Sequence, residues 1–320
     1  MNRRKIILDC DPGHDDAVAI MMAGRHPFID LLGITVVKGN QTIDKTTKNA
    51  LHICQYLEIL VPVFQGMDRP MVIASPPTEE RIHGESGLDG PVFGPLKKEA
   101  KELHAVGFLI STLMASKGDI TLVATGPLTN IAMAMRIEPR IIPKIEEIIL
   151  MGGSYQMGNV TPAAEFNIFA DAEAAFVVFE SGVKVTMCGL DITRKVLCTT
   201  DIVKRMSTHT NPASKLFSDL MSFFIESQKR TFGWEGAPLH DPTTIAYLID
   251  PSVLTLKEAH TDIEIRSEQS YGRTNCDLFH LTDKPFNSNI ATDIDVDKFW
   301  DIVENCIKMY SDINLNEYTL

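Results

Sequence analysis

Short apolar runs alternate with longer amphipathic stretches over most of the chain. The apolar runs end in glycine, proline or polar residues, which is typical of buried strands. The predicted strands are Ile6–Leu8, Asp30–Val37, Val61–Phe64, Ile120–Ala124, Ile145–Met151 and Val183–Leu190. The stretches between them carry apolar residues at helical spacing. Strands that alternate with helices predict an α/β fold, with an open, mostly parallel sheet flanked by helices.

The same periodicity predicts the helices and the C-terminal part of the chain. The predicted helices are Ala17–Ala23, Thr42–Leu57, His104–Ser116, Ala213–Arg230 and Thr243–Ile249, with one more after Asn130 that ends near Met135. Additional C-terminal strands are predicted at Thr261–Arg266, Tyr271–Asp277 and Asn289–Ile294, followed by a closing helix from Val296 to Met309. No stretch has the composition of a linker or a repeat, so we expect residues 1–320 to form a single domain.

The segment from Met67 to Lys97 interrupts this alternation. It is rich in proline and glycine and carries His83 within Ile82-His83-Gly84. A connection this long inside a compact domain is usually functional or disordered. We interpret it as a mobile lid over a site. A surface loop with an exposed histidine is the structural alternative.

Four carboxylates lie within eight residues, in Asp9-Cys10-Asp11-Pro12-Gly13-His14-Asp15-Asp16. They fall between the first predicted strand and the first helix, at the edge of a parallel sheet where ligands bind. Like charges this close repel by roughly 1 to 4 kcal/mol per pair at ~4 Å. Helix capping by Asp15 or Asp16 would offset part of this repulsion, whereas a bound divalent cation would offset all of it. The sequence therefore favours a metal site over a solvated acidic turn.

An all-oxygen shell for this cation can be assembled from strand ends. Asp11, Asp16, a backbone carbonyl such as that of Thr125, and Asp241 leave room for water and a substrate diol. Such a shell suits Ca²⁺, which accepts about six to eight oxygens in irregular geometry. It would support hydrolysis of a substrate held by its hydroxyls. Asp241 also has a structural interpretation, as the N-cap of a helix that begins at Pro242.

Polar residues between Gly158 and Asp171 offer donors and acceptors for the hydroxyls of a sugar. The candidates are Asn159, Glu165 and Asn167, and Phe166 offers an apolar face beside them. A loop that caps a helix at Ala172 would carry a similar pattern, so this alternative stays open.

Composition and charge limit the class of protein. With 44% apolar and 22% charged residues, the chain has the composition of an ordinary soluble globular protein. A net charge of −12 without a cluster of Lys and Arg argues against nucleic-acid binding. No apolar run approaches membrane length or resembles a signal peptide, so we expect a cytoplasmic protein without a membrane segment. The six cysteines lack metal-site spacing and are interpreted as reduced thiols.

The acidic turn resembles the D-x-D-x-x-x-D-D signature of nucleoside hydrolases of the inosine–uridine-preferring type. Further blocks match this family in the same order: Gly39-Asn40-Gln41, Ile82-His83-Gly84, Leu150-Met151-Gly152-Gly153, Ala164-Glu165-Phe166-Asn167 and His240-Asp241-Pro242. The resemblance covers essentially the whole chain, and its first motif is highly specific. It implies a Rossmann-like fold and hydrolysis of a ribonucleoside to ribose and free base.

The resemblance also implies roles for individual residues. A Ca²⁺ ion would be bound by Asp11, Asp16, Asp241 and the Thr125 carbonyl, and Asp11 would act as general base on the attacking water. Positions that hold the ribose are matched by Asp15, Asn40, Asn159, Glu165 and Asn167, with the Met151 backbone beside them. Positions around the base are matched by His83, Phe166 and His240. We expect His240 to donate or relay a proton to the departing base, and orientation of the base alone is the alternative.

The preferred base is indicated by a smaller set of residues. Gly118–Val123 and Tyr271–Thr274, with Gln228 on the long helix, look most like members that prefer pyrimidines. Phe232 stands where those members often have a tyrosine, so a hydroxyl that would touch the base is absent. We predict uridine and cytidine as substrates, and a broader inosine–uridine enzyme is the alternative.

Two other classes of protein are alternatives to a nucleoside hydrolase. A metal-dependent phosphatase also carries D-x-D after a first strand, but Asp11 is followed here by Pro12-Gly13. A non-catalytic protein that binds nucleosides or Ca²⁺ is disfavoured because each predicted catalytic position is present. The resemblance further implies a homo-oligomer, namely a tetramer, and the sequence itself is silent on this point.

Overall fold

The computed structural model of the chain describes residues 3–313. Its strands are β1 (Arg4–Cys10), β2 (Ile29–Val36), β3 (Val63–Gln65), β4 (Ile120–Ala124), β5 (Ile145–Met151), β6 (Val185–Cys188), β7 (Leu197–Cys198), β8 (Ala237–Pro238), β9 (Leu254–Ala259), β10 (Thr261–Ile263), β11 (Thr274–Cys276) and β12 (Ser288–Ile294). Its helices are α1 (His14–Arg25), α2 (Ile43–Tyr56), α3 (Glu80–His83), α4 (Ala105–Ala115), α5 (Thr129–Ile137), α6 (Phe166–Ala170), α7 (Ala172–Phe179), α8 (Leu190–Thr193), α9 (Thr200–Ser207), α10 (Pro212–Phe232), α11 (Pro242–Ile249) and α12 (Val296–Lys308).

Eight strands form a central sheet in the order β3-β2-β1-β4-β5-β6-β12-β9. Neighbouring strands are parallel along this order, except that β9 pairs antiparallel with β12. Two small antiparallel pairs, β10 with β11 and β7 with β8, lie outside the sheet. The predicted open, mostly parallel sheet is therefore confirmed. Parallel pairing brings the carboxyl ends of these strands to one edge, where a site can form.

The sheet is buried on both faces because its strands carry apolar residues at consecutive positions. In β1, Ile6 and Leu8 belong to one hydrophobic core and Ile7 to the other, since successive side chains point to opposite faces. The first core includes α1, α2, α10, α11 and α12, and the second includes α4, α5 and α7. Full burial of a side chain such as Leu8 contributes about 1.5 to 3 kcal/mol. The two cores hold the sheet edge rigidly in place.

Several predicted boundaries in the C-terminal part are wrong. The strand predicted for Val183–Leu190 ends at Cys188, because Gly189 becomes the N-cap of α8. The strands predicted for Thr261–Arg266 and Tyr271–Asp277 shrink to the three-residue strands β10 and β11. β9 was not predicted, because this edge strand buries fully only its two end residues and its sequence, LTLKEA, lacks a clear apolar period.

The long segment between β3 and α4 folds over the sheet edge with α3 as its only helix or strand between residues 67 and 97. It is tied to α2, where the Asn49 side-chain amide donates to the Ser86 carbonyl at 3.0 Å. His83 is only 6% exposed, so the alternative of a surface loop with an exposed histidine is wrong. Opening and closing of this segment stays a prediction.

Two further expectations concern membranes and thiols. Among the helices of residues 3–313, none combines the length and apolar character needed to cross a membrane. The cysteines carry free thiols, and only Cys276 is not fully buried.

Candidate active site

A cavity of about 270 Å³ opens at the carboxyl ends of the parallel strands. Its position follows from the topology, because Asp11 follows β1, Asn40 follows β2, Thr125 follows β4 and Met151 ends β5. Every residue predicted to bind the ribose or the base lines it: Asp15, Asn40, His83, Met151, Asn159, Glu165, Phe166, Asn167, Gln228 and Phe232. Thr125, His240 and Asp241 line it as well. Asp11 and Asp16 have no exposed surface and lie behind this lining.

Three carboxylates form a cluster at one end of the cavity. Asp15, Asp16 and Asp241 each contribute an oxygen, and these oxygens lie within 4.8 Å of one another. All three residues are buried. Asp11 is not part of this group, but its negative charge acts on the same carboxylates. The fold therefore brings Asp241, far along the chain, to the acidic turn after β1.

The start of α1 holds Asp16 in place. Its Oδ2 accepts a hydrogen bond of 3.0 Å from the Gly13 backbone N–H, and its Oδ1 accepts one of 2.7 Å from the Thr125 hydroxyl. A carboxylate in this position also benefits from the positive end of the helix dipole. The capping alternative thus describes Asp16 correctly, whereas Asp15 and Asp241 lie buried beside it with raised pKa values of their own.

Asp11 sits in a narrow slot between two loops. Its Oδ2 accepts a hydrogen bond of 2.7 Å from the Asn40 backbone N–H. Its buried Oδ1 has no hydrogen-bond partner among residues 3–313. A Cβ atom at Gly39 would lie 2.0 Å from Oδ2, and one at Gly126 would lie 2.6 Å from Oδ1. Glycine is required at both positions because the backbone approaches the carboxylate so closely.

Burial and mutual repulsion disfavour the ionised form of these acids. They raise the pKa of Asp11 and of Asp241 well above the ordinary value, and they raise the pKa of Asp15 to about 7. The pKa of Asp16 is raised by burial, against the hydrogen bonds from Gly13 and Thr125. A divalent cation would reverse these shifts by pairing with the charges. The unpartnered Asp11 Oδ1 and the oxygen-only cluster fit a hard metal ion.

Glu165 and Asn167 connect the cavity wall to the strand ends. Glu165 is the N-cap of α6 and accepts hydrogen bonds from the backbone N–H groups of Gly153, Asn167 and Ile168 at 2.9 to 3.1 Å. Burial nevertheless raises its pKa to about 7. The Asn167 side-chain amide donates to the Thr125 carbonyl at 2.9 Å and to the Met151 carbonyl at 3.1 Å. The structural alternative for this loop, a cap on the helix that begins at Ala172, is met by Asp171, the N-cap of α7, whereas Glu165 caps α6 and also lines the cavity.

The loop before α6 is fixed by two further contacts. Asn159 accepts a hydrogen bond of 2.9 Å from the Phe166 backbone N–H through its side-chain oxygen. Arg194 donates to the Gly158 carbonyl at 2.8 Å. These bonds leave the Asn159 amide nitrogen free to face a ligand, since Asn159 lines the cavity.

Two histidines line the cavity, each with one ring nitrogen engaged. His240 Nδ1 lies 2.7 Å from the Thr193 hydroxyl, and His83 Nδ1 lies 3.0 Å from His14 Nδ1. Burial lowers the pKa of His240 to about 3, helped by the nearby Arg194 guanidinium. His83 is likewise held neutral, since burial lowers its pKa well below the usual range.

His14 is a contributor that sequence reasoning missed. Its ring has no exposed surface and stacks between Phe223, Phe224 and His83 at centroid distances of 5.2 to 5.3 Å. Its Nε2 lies 2.8 Å from the Asp89 carbonyl, which can only accept, so Nε2 carries hydrogen. Its position inside the acidic motif could have indicated that it packs against His83 at the site. The carboxylates alone accounted for the motif, so the histidine received no role of its own.

The helix α10 forms one wall of the cavity. Phe224, Gln228 and Phe232 recur every four residues, which places them on one helix face. Gln228 is 4% exposed, and its side-chain oxygen has no hydrogen-bond partner in the part of the chain that the structure describes. Phe232 is 43% exposed at the mouth and stacks on Trp234 at 5.1 Å. The wall formed by α10 is thus apolar except for the side-chain amide of Gln228, whose oxygen has no partner among residues 3–313.

Comparison with known sequences places the chain among nucleoside hydrolases. A family model described as inosine-uridine preferring nucleoside hydrolase matches residues 6–301. The pyrimidine-specific ribonucleoside hydrolase RihB of Escherichia coli is 56% identical over 310 residues, which is 97% of this chain and 99% of that protein. The protein of the same name from Escherichia fergusonii is 55% identical over the same shares.

Solved structures agree. A purine-preferring ribonucleoside hydrolase from Gardnerella vaginalis matches with a TM-score of 0.88 and 32% identity, covering 95% of this chain and 99% of that chain. A plant nucleoside hydrolase matches with a TM-score of 0.86 and 27% identity over the same shares. The resemblance read from the motifs, and the hydrolytic class that it implied, are confirmed by these matches. The chain belongs to the inosine-uridine preferring nucleoside hydrolase family, whose members are enzymes that hydrolyse nucleosides.

Proposed function

We propose that this enzyme hydrolyses the N-glycosidic bond of pyrimidine ribonucleosides, uridine and cytidine, in a Ca²⁺-dependent reaction that yields ribose and the free base. The observation that carries the proposal is the buried cluster of Asp15, Asp16 and Asp241 at the end of a cavity of about 270 Å³. This volume is near the lower end of the range for small-molecule sites, ~300 Å³. Similarity to enzymes named pyrimidine-specific supports the choice of base.

The ribose is assigned to the acidic end of the cavity. Asp11, Asp16, Asp241 and the Thr125 carbonyl would hold Ca²⁺. When bound, this ion supplies a fixed geometry for two ribose hydroxyls and makes a neighbouring water easier to deprotonate. The remaining hydroxyl contacts are assigned to Asp15, Asn40, Asn159, Glu165 and Asn167, all of which line the cavity. A buried site built around a diol predicts strong discrimination against 2′-deoxynucleosides, because a polar group would lose its partner.

Asp11 is the proposed general base. Its buried Oδ1 has no hydrogen-bond partner among residues 3–313, so it can accept the proton of the attacking water. As the bond from C1′ to the base nitrogen breaks, positive charge develops on the ribose ring, as in other glycoside hydrolyses. The surrounding carboxylates and the carbonyl dipoles of Thr125 and Met151 stabilise that charge.

The base is assigned to the wall formed by α10 and the two histidines. The orphaned Gln228 oxygen can accept from an N–H group on the edge of uracil or cytosine. His240 would donate a proton or a hydrogen bond to the departing base. Because Phe232 lacks the hydroxyl of a tyrosine, the wall is less polar than a pyrimidine-specific site would be, and a broad inosine–uridine enzyme is the second candidate.

A substrate panel tests the proposal. Release of ribose is measured from uridine, cytidine, inosine and 2′-deoxyuridine with Ca²⁺ present. We expect uridine and cytidine to be cleaved at rates well above those of inosine and 2′-deoxyuridine. Comparable cleavage of inosine would favour the broad enzyme, and no release from any ribonucleoside would overturn the proposal. His240→Ala should reduce turnover, and unchanged rates on both uridine and inosine would remove His240 from the mechanism.

We further propose that the enzyme acts in the cytoplasm as a homotetramer that feeds free pyrimidine bases into salvage. This follows from the resemblance and from the sequence composition. Sedimentation of the purified protein measures the assembly, and a stable monomer would contradict it.

A further inference from the structure

We propose that Thr193 is a positioning residue that sets the tautomer of His240, so that the ring presents Nε2–H to the cavity as a hydrogen-bond donor. The inference rests on the role proposed for His240 at the departing base. It adds a residue that lies outside the cavity lining and carries no charge. One buried hydrogen bond fixes this tautomer by its direction.

Thr193 is the last residue of α8, the short helix that follows β6 at the sheet edge. Its side chain has no exposed surface, and its Oγ1 lies 2.7 Å from His240 Nδ1. Over residues 3–313, this is the only hydrogen bond that the Thr193 hydroxyl makes with another group. The contact spans 47 positions of sequence and is therefore a product of the tertiary fold.

The direction of this bond follows from the inventory of donors and acceptors. A buried hydroxyl hydrogen needs an acceptor, and His240 Nδ1 is the one within reach. If Nδ1 carried hydrogen instead, it would donate to Oγ1, and the hydroxyl hydrogen would be left buried without a partner. Nδ1 is therefore the acceptor, and the single hydrogen of the neutral ring lies on Nε2.

Backbone hydrogen bonds near Thr193 and His240 hold the two residues next to each other. The Leu239 backbone N–H donates to the Val196 carbonyl at 3.0 Å, which ties the segment before His240 to the segment after α8. The Thr243 hydroxyl donates to the His240 carbonyl at 2.7 Å. The fixed main chain and the bond to Thr193 orient the imidazole. His240 lines the cavity and Thr193 does not, so we assign Nε2, the ring nitrogen not bonded to Thr193, to the cavity side.

The chemistry at the departing base requires the tautomer with hydrogen on Nε2. When the bond from C1′ to the base nitrogen breaks, its electron pair moves onto the base, which becomes a better acceptor. Nε2–H can then strengthen its hydrogen bond to the base, an interaction that lowers the barrier because it grows in the transition state. The opposite tautomer would direct a lone pair at the leaving group and would oppose its departure.

The test compares Thr193→Val, which keeps the shape and loses the hydroxyl, with Thr193→Ser, which keeps the hydroxyl. Kinetics are measured on uridine with Ca²⁺, and the His240 ring nitrogens are observed by ¹⁵N NMR in the ligand-free protein, using His240→Ala to assign them. In wild type and in Thr193→Ser, we expect hydrogen on Nε2 of His240 and none on Nδ1. Thr193→Val should not show this pattern. Its kcat should be about tenfold lower than that of wild type, with little change in KM.

The two readouts separate this inference from the proposed function. A wild-type spectrum with hydrogen on Nδ1 overturns the inference whatever the activity. So does a Thr193→Val enzyme with unchanged kcat when His240→Ala is impaired, or a Thr193→Ser enzyme as impaired as Thr193→Val. If the spectra agree with expectation while His240→Ala is fully active, the tautomer assignment stands and the proposed role of His240 fails.

Discussion

Asp15, Asp16 and Asp241 bring carboxylate oxygens within 4.8 Å of one another in a buried place. The fold holds these carboxylates together although burial raises the pKa of all three, and repulsion between charges adds to this rise at Asp15 and Asp241. The same arrangement that weakens the ligand-free protein provides a strong field for a cation. At the scale of single residues, affinity for the metal and stability of the empty site are therefore opposed.

The first prediction concerns pH. Between its ordinary value of 3.8 and the folded value of about 7, Asp15 binds more protons in the folded state than in the unfolded state. The free energy of unfolding of the chelated protein therefore falls as pH rises through this window. Thermal unfolding in a chelator at about pH 5 and about pH 8 should give the higher Tm at the lower pH. A Tm that rises over this range would contradict the assignment.

The second prediction concerns removal of one charge. Asp241→Asn should raise the Tm of the chelated protein, because it relieves repulsion within the cluster, and should abolish most of the Tm increase caused by Ca²⁺. Asp293→Asn, at an exposed carboxylate paired with Lys195, is the matched control and should leave the Ca²⁺ effect unchanged. An Asp241→Asn protein that is less stable without metal and still stabilised by Ca²⁺ would count against a metal site.

The acidic residues could be identified from the sequence because they are close together in the chain. Their partners lie elsewhere in the chain and could not be identified in this way. Asp11, Asp15 and Asp16 fall in one turn whose position after a strand is predictable. The narrow slot around Asp11 depends on Gly39 and Gly126, and the orientation of His240 depends on Thr193. These partners come from separate loops, so only tertiary packing reveals them.

At the scale of elements, α10 does more than pack against the core. Its buried face carries Phe217, Leu220 and Phe224 into the hydrophobic core, and the same face ends in Gln228 and Phe232 at the cavity. One amphipathic helix thus joins the core to the base-binding wall. The unpartnered Gln228 oxygen is the polar group on that wall.

The third prediction follows from that oxygen. Gln228→Ala should lower kcat/KM for uridine and cytidine by about tenfold, the effect of losing one hydrogen bond to a buried partner. Inosine, whose larger base meets the wall differently, should lose less. Lys229→Ala, next to it on the exposed side of α10, is the control and should match wild type. Equal losses for all three nucleosides would mean that Gln228 has no part in base choice.

Periodicity predicted the long elements well and the short ones poorly. The helix predicted for Ala213–Arg230 corresponds to α10, and the strand predicted for Ile120–Ala124 matches β4. Both have many buried positions, so the apolar pattern is strong. β9 is an edge strand with few buried side chains, and β7 and β8 have only two residues each; all three are stabilised by pairing with strands far along the chain. Their sequences therefore carry little local signal.

At the scale of the whole molecule, two cores on opposite faces of one sheet share β1. The C-terminal helix α12 belongs to the first core and returns the chain to α1, where the buried Tyr310 hydroxyl donates to the Met21 carbonyl at 2.6 Å. Contacts of this kind connect the two ends of the sequence. They favour the predicted single domain, which would unfold in one cooperative transition.

The fourth prediction tests this connection. Tyr310→Phe removes a buried hydrogen bond to the Met21 carbonyl and should lower the free energy of unfolding by about 0.5 to 1.5 kcal/mol. Tyr271→Phe is the matched control, because the Tyr271 hydroxyl bonds to Glu173 at a half-buried site where water can replace it. Denaturant unfolding of both variants should remain a single transition. Two transitions in either variant would contradict a single domain.

The most direct test of the central claim is ribose release from uridine by wild type and by Asp11→Ala, each with Ca²⁺ and after chelation. Asp68→Ala, at an exposed carboxylate, serves as the matched control. We predict that wild type and the control release ribose with Ca²⁺ and lose this activity on chelation, while Asp11→Ala is inactive under both conditions. Ribose release by Asp11→Ala at the wild-type rate, or by chelated wild type, would contradict the proposal that the buried carboxylates and their metal perform the hydrolysis.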